Sequence, residues 1–319
     1  MFALKDSWVW DFWVAHDGDT FHLFFLYASK ALHDPERRHY RASIGHATST
    51  DLVHWTRIED ALVRSDAPAF DDLATWTGSV VQGEDGRWNL FYTGATLDPD
   101  GKNIQRIGRA VSDDLVTFTR VSNNPLLAAD PTLHETLDAG LWHDEACRDP
   151  WVYRDPDGNG WHMLVTLRAP EGEAFRRAVV GHAWSADLEN WEWRESLSSP
   201  ISDFGQLEVI QVAEVEGRPV GIFCCLAAEM IPERRGDTTG GVWAMPADSM
   251  VGPFHPEDAY QLTDRSHYAG RLVQDAAGQW NLMAFLHDGP DGEFVGQICD
   301  PMPVAWVGDK LTVVGGSQQ

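Results

Sequence analysis

The chain has 319 residues, a formal net charge of −25 and a sequence pI near 4.7. An acid excess of that size repels phosphate, which excludes nucleic acid and an anionic membrane as partners and leaves a small neutral oligosaccharide compatible. Hydrophobic residues at 43% and charged residues at 23% are those of a globular chain long enough to bury a large core, and they set disorder aside.

In chain order, the first informative stretch is Val9-Trp10-Asp11-Phe12-Trp13. Alternation of Trp8, Trp10 and Phe12 reads as one face of a strand, with Asp11 turned to solvent. The same residues also read as a carboxylate set among rings, which is costly to bury unless hydrogen-bond donors arrive from elsewhere in the chain. The remainder of the chain decides between the two.

A repeat runs through it. Asp11 to Ala15, a turn at Gly18 and Phe21 to Tyr27 form a hairpin, and its counterparts are Thr77–Gln82/Gly86/Trp88–Tyr92 and Pro150–Tyr153/Gly158/Trp161–Val165. Two more are Val209–Val215/Gly217/Val220–Leu226 and Tyr268–Gln274/Gly278/Trp280–Phe285. After the first three lies a second hairpin with a shared signature: Ser49-Thr50-Asp51-Leu52 before Trp55, Ser112-Asp113-Asp114-Leu115 before Phe118, and Ser185-Ala186-Asp187-Leu188 before Trp191. A weaker echo runs from Ala247-Asp248-Ser249 to Phe254. Ser/Asp chemistry makes the turn and the aromatic opens the next strand. A period of about 60 to 75 residues suits a four-stranded propeller blade with long loops. The sequence therefore predicts an all-β, five-bladed β-propeller as a single domain over residues 1–319, with the fifth blade completed around Val304 to Val314 and almost no helix.

The first strand of a blade lies nearest the propeller axis, so Asp11, Thr77, Asp149, Glu208 and Tyr268, at the five inner strand starts, converge on one mouth of the channel. Three of them are acids, the parts needed to cleave a glycoside through an oxocarbenium-like transition state. Asp11 is expected to be the ionised attacker. Glu208, beside Leu207, Val209 and Ile210, is expected to be held protonated by apolar surroundings. Asp149, next to Arg148, is expected to stay ionised and to bind sugar hydroxyls, although an Arg-Asp pair also serves structure alone. Trp10, Trp13 and Trp76 offer flat faces for a sugar to stack on.

These motifs resemble those of glycoside hydrolase family 68, the levansucrases and fructosyltransferases: Val9-Trp10-Asp11-Phe12-Trp13 its nucleophile segment, Trp76-Thr77-Gly78-Ser79 its W-S-G-S, Arg148-Asp149-Pro150 its R-D-P, and Ser266-His267 its Y-S-H. The related family 32 of invertases and fructanases shares the R-D-P and the F-Y-T-G at Phe91 to Gly94. The resemblance implies a retaining hydrolase or fructosyltransferase that acts on a small β-fructofuranoside by double displacement. Asp11 would be the nucleophile, Asp149 the transition-state stabiliser and Glu208 the acid/base, with Trp10, Trp13, Trp76, Thr77, Arg148, Gln206, His267 and Tyr268 around the sugar. Gln206 stands for the first Glu of an E-x-E-R run, Val209 for its Arg, and Arg265 for the Tyr before Ser-His. Sucrose as donor and polymer synthesis therefore lack the residues that support them. The propeller is expected to stand without the family 32 β-sandwich. Two other readings keep the same propeller: an inverting arabinanase or xylosidase resembling family 43, and a noncatalytic carbohydrate-binding propeller.

No motif points to a metal or a cofactor, and none indicates the oligomeric state. Cys147, Cys224, Cys225 and Cys299 have neither zinc-site nor disulfide-framework spacing. Free thiols, together with an N-terminus unlike a signal peptide, predict a cytoplasmic protein.

Overall fold

A computed structural model of the protein describes residues 1–199 and 202–315, and the last four residues of the expected 1–319 domain lie outside the described residues. Five sheets succeed one another along the chain, each with an antiparallel path of four strands in ascending order; Asp144–Glu145 adds a short parallel pairing to the second sheet and Phe294–Ile298 a side branch to the fifth. Their innermost strands are Ser7–His16, Ala74–Gln82, Arg148–Arg154, Glu208–Val215 and His267–Gln274. Each touches the innermost strands of both neighbouring blades, and the fifth touches the first, which makes the ring of a five-bladed propeller. The fifth blade ends in Met302–Val307 and Lys310–Val313. Phe2 and Ile298 exchange both backbone hydrogen bonds, at 2.9 Å each, and tie the chain's start to this last blade. Helix among the described residues amounts to Pro232–Arg235 and a few 3₁₀ turns. No helix among them is long and apolar enough to cross a membrane.

The repeated Ser/Asp signature forms the turn expected of it. Asp51 Oδ1 accepts the backbone N–H groups of Val53 and His54 at 2.9 and 2.8 Å, Leu52 takes a φ of 63°, and the indole of Trp55 donates to the Leu52 carbonyl at 3.0 Å. Asp114 with Leu115, and Asp187 with Leu188 and Trp191, repeat the arrangement. A carboxylate that caps free N–H groups offsets the strain of a left-handed leucine.

The feature that shapes the axial mouth is a β-bulge at the same place in every innermost strand. Register shifts fall between Trp10 and Phe12, Trp76 and Gly78, Arg148 and Trp151, Glu208 and Gln211, and Tyr268 and Arg271. A bulge interrupts strict alternation, so two consecutive side chains serve the same face. The five strand starts therefore separate into two tiers. Asp11, Thr77 and Asp149 occupy the bulge itself, whereas Glu208 and Tyr268 take the position one residue earlier, that of Trp10, Trp76 and Arg148. Asp149, Val209 and Ala269 sit at φ values of 60°, 56° and 48°, a region that costs a non-glycine residue about 1–3 kcal/mol and is held here by the packing of neighbouring blades.

Aromatic rings fill the wedges between blades. Trp13 stacks on Phe24 at 6.0 Å, and Phe24 meets Phe118 of the second blade edge-on at 5.6 Å. Burying such a ring fully stabilises the fold by roughly 1.5–3 kcal/mol.

Gly78, just after the second bulge, leaves no room for a side chain: an added Cβ would lie 1.9 Å from the backbone oxygen of Phe91. Gly78→Ala is expected to destabilise the protein by about 3 kcal/mol, at the upper end for overpacking because the obstruction is backbone. A fall in thermal midpoint of several degrees checks this, and an unchanged midpoint refutes it.

Candidate active site

A cavity of about 780 Å³ opens at the channel mouth and is lined by Asp11, Asp149 and Glu208 together. Trp10, Trp76, Thr77, Arg148, Gln206 and Tyr268 also line it, so nine of the eleven residues singled out from the sequence meet in one place, eight of them on the bulged strands and Gln206 just ahead of one. Trp13 and His267 are corrections. Trp13 comes after the bulge and is wholly buried in the wedge between the first two blades. His267 precedes Tyr268 by one residue; since Tyr268 points into the cavity, alternation turns His267 away, and its Nδ1 lies 2.8 Å from the Ser266 hydroxyl.

Each acid comes from a different blade and is held by groups that neighbouring blades supply in part. The Thr77 hydroxyl donates to Asp11 Oδ2. Asp149 Oδ2 accepts from the Thr166 hydroxyl at 2.9 Å and from the Val209 N–H at 3.1 Å, while its own N–H donates to Thr93 at 2.8 Å. Glu208 accepts from the Tyr268 hydroxyl at Oε2 and from Arg148 Nη2 at Oε1, the latter at 2.9 Å. Arg148 is the hub. It also bonds the side-chain oxygens of Gln206 and of Gln105, the second at 3.0 Å, and lies 3.6 Å from both Asp144 and Asp149.

The electrostatics depart from expectation. Burial, and after it the nearby charge of Asp149, pushes Asp11 up to about 7, although its carboxyl stays partly open to the cavity. Burial also raises Asp149, with Arg148 acting in the opposite direction. Leu207, Val209 and Ile210 do not surround the Glu208 carboxyl as expected: all three are buried in the core, and the carboxyl meets Arg148 and Tyr268 instead. Sequence neighbours on a bulged strand are not spatial neighbours of its functional group.

Several lining residues are not among those the sequence singles out. Arg38 and His39 come from the 3₁₀ segment Pro35–Tyr40 between strands of the first blade. The Trp76 indole donates to the His39 carbonyl at 2.8 Å, and burial lowers the His39 ring to about 3, so it enters the cavity neutral. Glu229 accepts from the Gln206 amide at 2.6 Å, and burial, then Glu208, raises it to about 8. Its one sequence signal is a lone acid in Cys224-Cys225-Leu226-Ala227-Ala228-Glu229-Met230. Asp144 and His287 also line the cavity, as does Arg265, which the sequence marks only as a departure from the family 68 pattern.

If the reaction requires ionised Asp11, activity is expected to rise with pH through a midpoint near 7, because a raised carboxyl loses its proton only there. A kcat/KM profile already flat between about pH 5 and 8 would contradict the assignment.

Fold and cavity define a five-bladed propeller with an axial, carboxyl-lined site. The chain belongs to the glycosyl hydrolases family 32 N-terminal domain, whose model matches residues 13–292. It is 33% identical over 151 residues to a fructan 1-exohydrolase of Bromus pictus and 35% identical over 167 residues to the sucrose-6-phosphate hydrolase of Bacillus subtilis. These matches take in 46% and 51% of this chain but only 22% and 30% of the relatives, so the matched part spans less than a third of the length of those proteins. An inulosucrase from Halalkalicoccus jeotgali, solved bound to kestose, shares the fold with a TM-score of 0.79 at 20% identity, over 98% of this chain and 88% of that one.

Proposed function

We propose that the protein is a retaining glycoside hydrolase or fructosyltransferase acting on a small β-fructofuranoside. Asp11 attacks the anomeric carbon, Glu208 protonates the leaving oxygen and later deprotonates the incoming water or sugar, and Asp149 binds sugar hydroxyls as positive charge develops at the ring. The observation that carries this reading is the entry of Asp11, Asp149 and Glu208 into one cavity from three blades. The named activities of the Bromus and Bacillus relatives support it. The active form has Asp11 ionised and Glu208 protonated. Burial of Asp11 opposes that form, while the Thr77 hydrogen bond and the charge of Arg271 favour it. Trp10, Trp76 and neutral His39 supply ring surfaces for the sugar. We also propose a cytoplasmic setting, supported by four cysteines that are all buried and free.

Retaining enzymes hold their two carboxyls about 5–5.5 Å apart, against about 6.5–9.5 Å where a water must fit between. The test is incubation with sucrose, small fructo-oligosaccharides and aryl arabinofuranosides, with anomer-resolved NMR at early times. Fructose released first as the β anomer is the expected result. Inverted product, or cleavage of the arabinofuranosides alone, would favour the inverting family 43-like reading.

A further inference from the structure

The fifth blade contributes a buried cation whose charge favours ionised Asp11 and whose hydrogen bonds all go to backbone carbonyls of other blades. Arg271, at 1% exposure one of the largest wholly buried side chains, lies three residues after Tyr268 on the innermost strand. Its guanidinium donates from Nε to the Phe12 carbonyl at 3.3 Å and from Nη1 to the carbonyls of Val209 and Ile210 at 3.0 and 3.2 Å, with the Trp151 ring 5.0 Å away. Nη2 is buried with no partner among the described residues. Phe12 is the residue after Asp11, and Val209 the residue after Glu208. Val209 and Ile210 are skipped by the strand ladder at their bulge, so their buried carbonyls need a donor from elsewhere.

We propose that Arg271 is a positioning residue that sets the separation of Asp11 and Glu208 by clamping the backbone immediately after each of them, a role that rests on the function proposed above. The fork of the guanidinium suits the task because it offers several donors in fixed directions to carbonyls of two different blades. Retention or inversion depends on carboxyl separation, so a part that bridges the first and fourth blades behind the acids governs more than stability. Its charge has a second effect. Asp11 is faced by Asp149, Glu208 and the Thr77 hydroxyl, by the cations of Arg271 and Arg38, and by the Cys224 thiol. Arg271 favours the ionised form of Asp11, so its removal moves the proton loss of Asp11 to higher pH.

Two variants separate clamp from charge. In Arg271→Met both are gone: kcat is expected to fall about 10²-fold, the loss a misplacement of about 1 Å brings, with KM nearly unchanged and the acid limb of the pH profile moved upward. In Arg271→Lys the charge stays but the fork is lost, so kcat is expected to fall while the acid limb stays near that of the parent. A kcat within about threefold of the parent in folded Arg271→Met, or an unmoved acid limb, overturns the proposal. Should Arg271→Met fail to fold, Arg271→Lys decides, and parental kcat there overturns it. A carboxyl ¹³C NMR titration of Asp11 in parent and variants needs no substrate. If the parent cleaves nothing in the sugar panel, the functional reading fails, and the positioning role is then judged on that titration and on the Asp11–Glu208 separation in crystals of parent and Arg271→Lys.

Discussion

Asp11→Asn and Glu208→Gln are each expected to lower kcat/KM by at least about 10²–10⁴-fold while leaving the fold intact. Neither variant changes side-chain volume to any extent, and both residues sit in a cavity rather than in the packed wedges between blades. For Asp11 the stability effect has a definite sign. Its carboxyl holds its proton to about pH 7 in the folded chain against 3.8 in its ordinary state, so the folded form binds more protons than the unfolded one between those values, and stability declines as pH rises through that window. Asn removes the charge responsible. The Asp11→Asn variant should therefore melt no lower than the parent at about pH 8, and higher if burial of the charge is as unfavourable as its position implies. Retention of more than about a tenth of parental activity in either variant would refute the role given to that residue.

The second large effect is expected at Arg148. One guanidinium, 7% exposed, serves Glu208 at 2.9 Å and lies 3.6 Å from Asp144 and Asp149. Arg148→Met leaves three carboxyls without their common partner, and breaking a buried pair in this way typically costs about 3–5 kcal/mol. Activity should fall with it, by about 10²-fold or more, because Gln206 and Glu208 lose the donor that orients them. The deficit in stability should depend on pH. Carboxyls stripped of a neighbouring cation are raised in the folded state, so the variant regains stability as pH falls and they take up protons. Thermal melts at about pH 5 and about pH 8 read this directly: a deficit of equal size at both would mean that lost packing, not lost charge, is responsible. Arg148→Lys is not expected to rescue, since a point ammonium does not reproduce the planar fork that reaches Gln105 from Nη1 and Gln206 and Glu208 from Nη2.

Fold class and most of the site are legible in the sequence because both rest on local, repeated chemistry. A Ser-x-Asp-Leu turn before an aromatic reports a strand end wherever it occurs. Five Gly-turn hairpins at a blade-like period close into one kind of ring, and that ring is enough to group Asp11, Asp149 and Glu208 at one mouth. Periodicity does not reveal the bulges. They break the two-residue alternation at the five positions that matter, which is why Trp13, whose spacing suggests a cavity wall, lies in the core; His267, ahead of its bulge, still follows the alternation and faces away while Tyr268 faces in. Charge state is likewise beyond the reach of local sequence. The segment around Asp11 suggests an ionised carboxylate, yet its proton affinity is set by the protein mass around it, by Asp149 of the third blade and by Arg271 of the fifth, none of them near it in the chain. The segments that bring Arg38, His39, Asp144 and Glu229 to the cavity carry no repeat, so only the closed ring determines which of their side chains meet. Hydrogen-bonded turns and strand faces depend on residues a few positions apart, which the sequence alone determines. The separation of two carboxyls and the proton each holds depend on distances between blades, and those exist only after the chain has closed on itself.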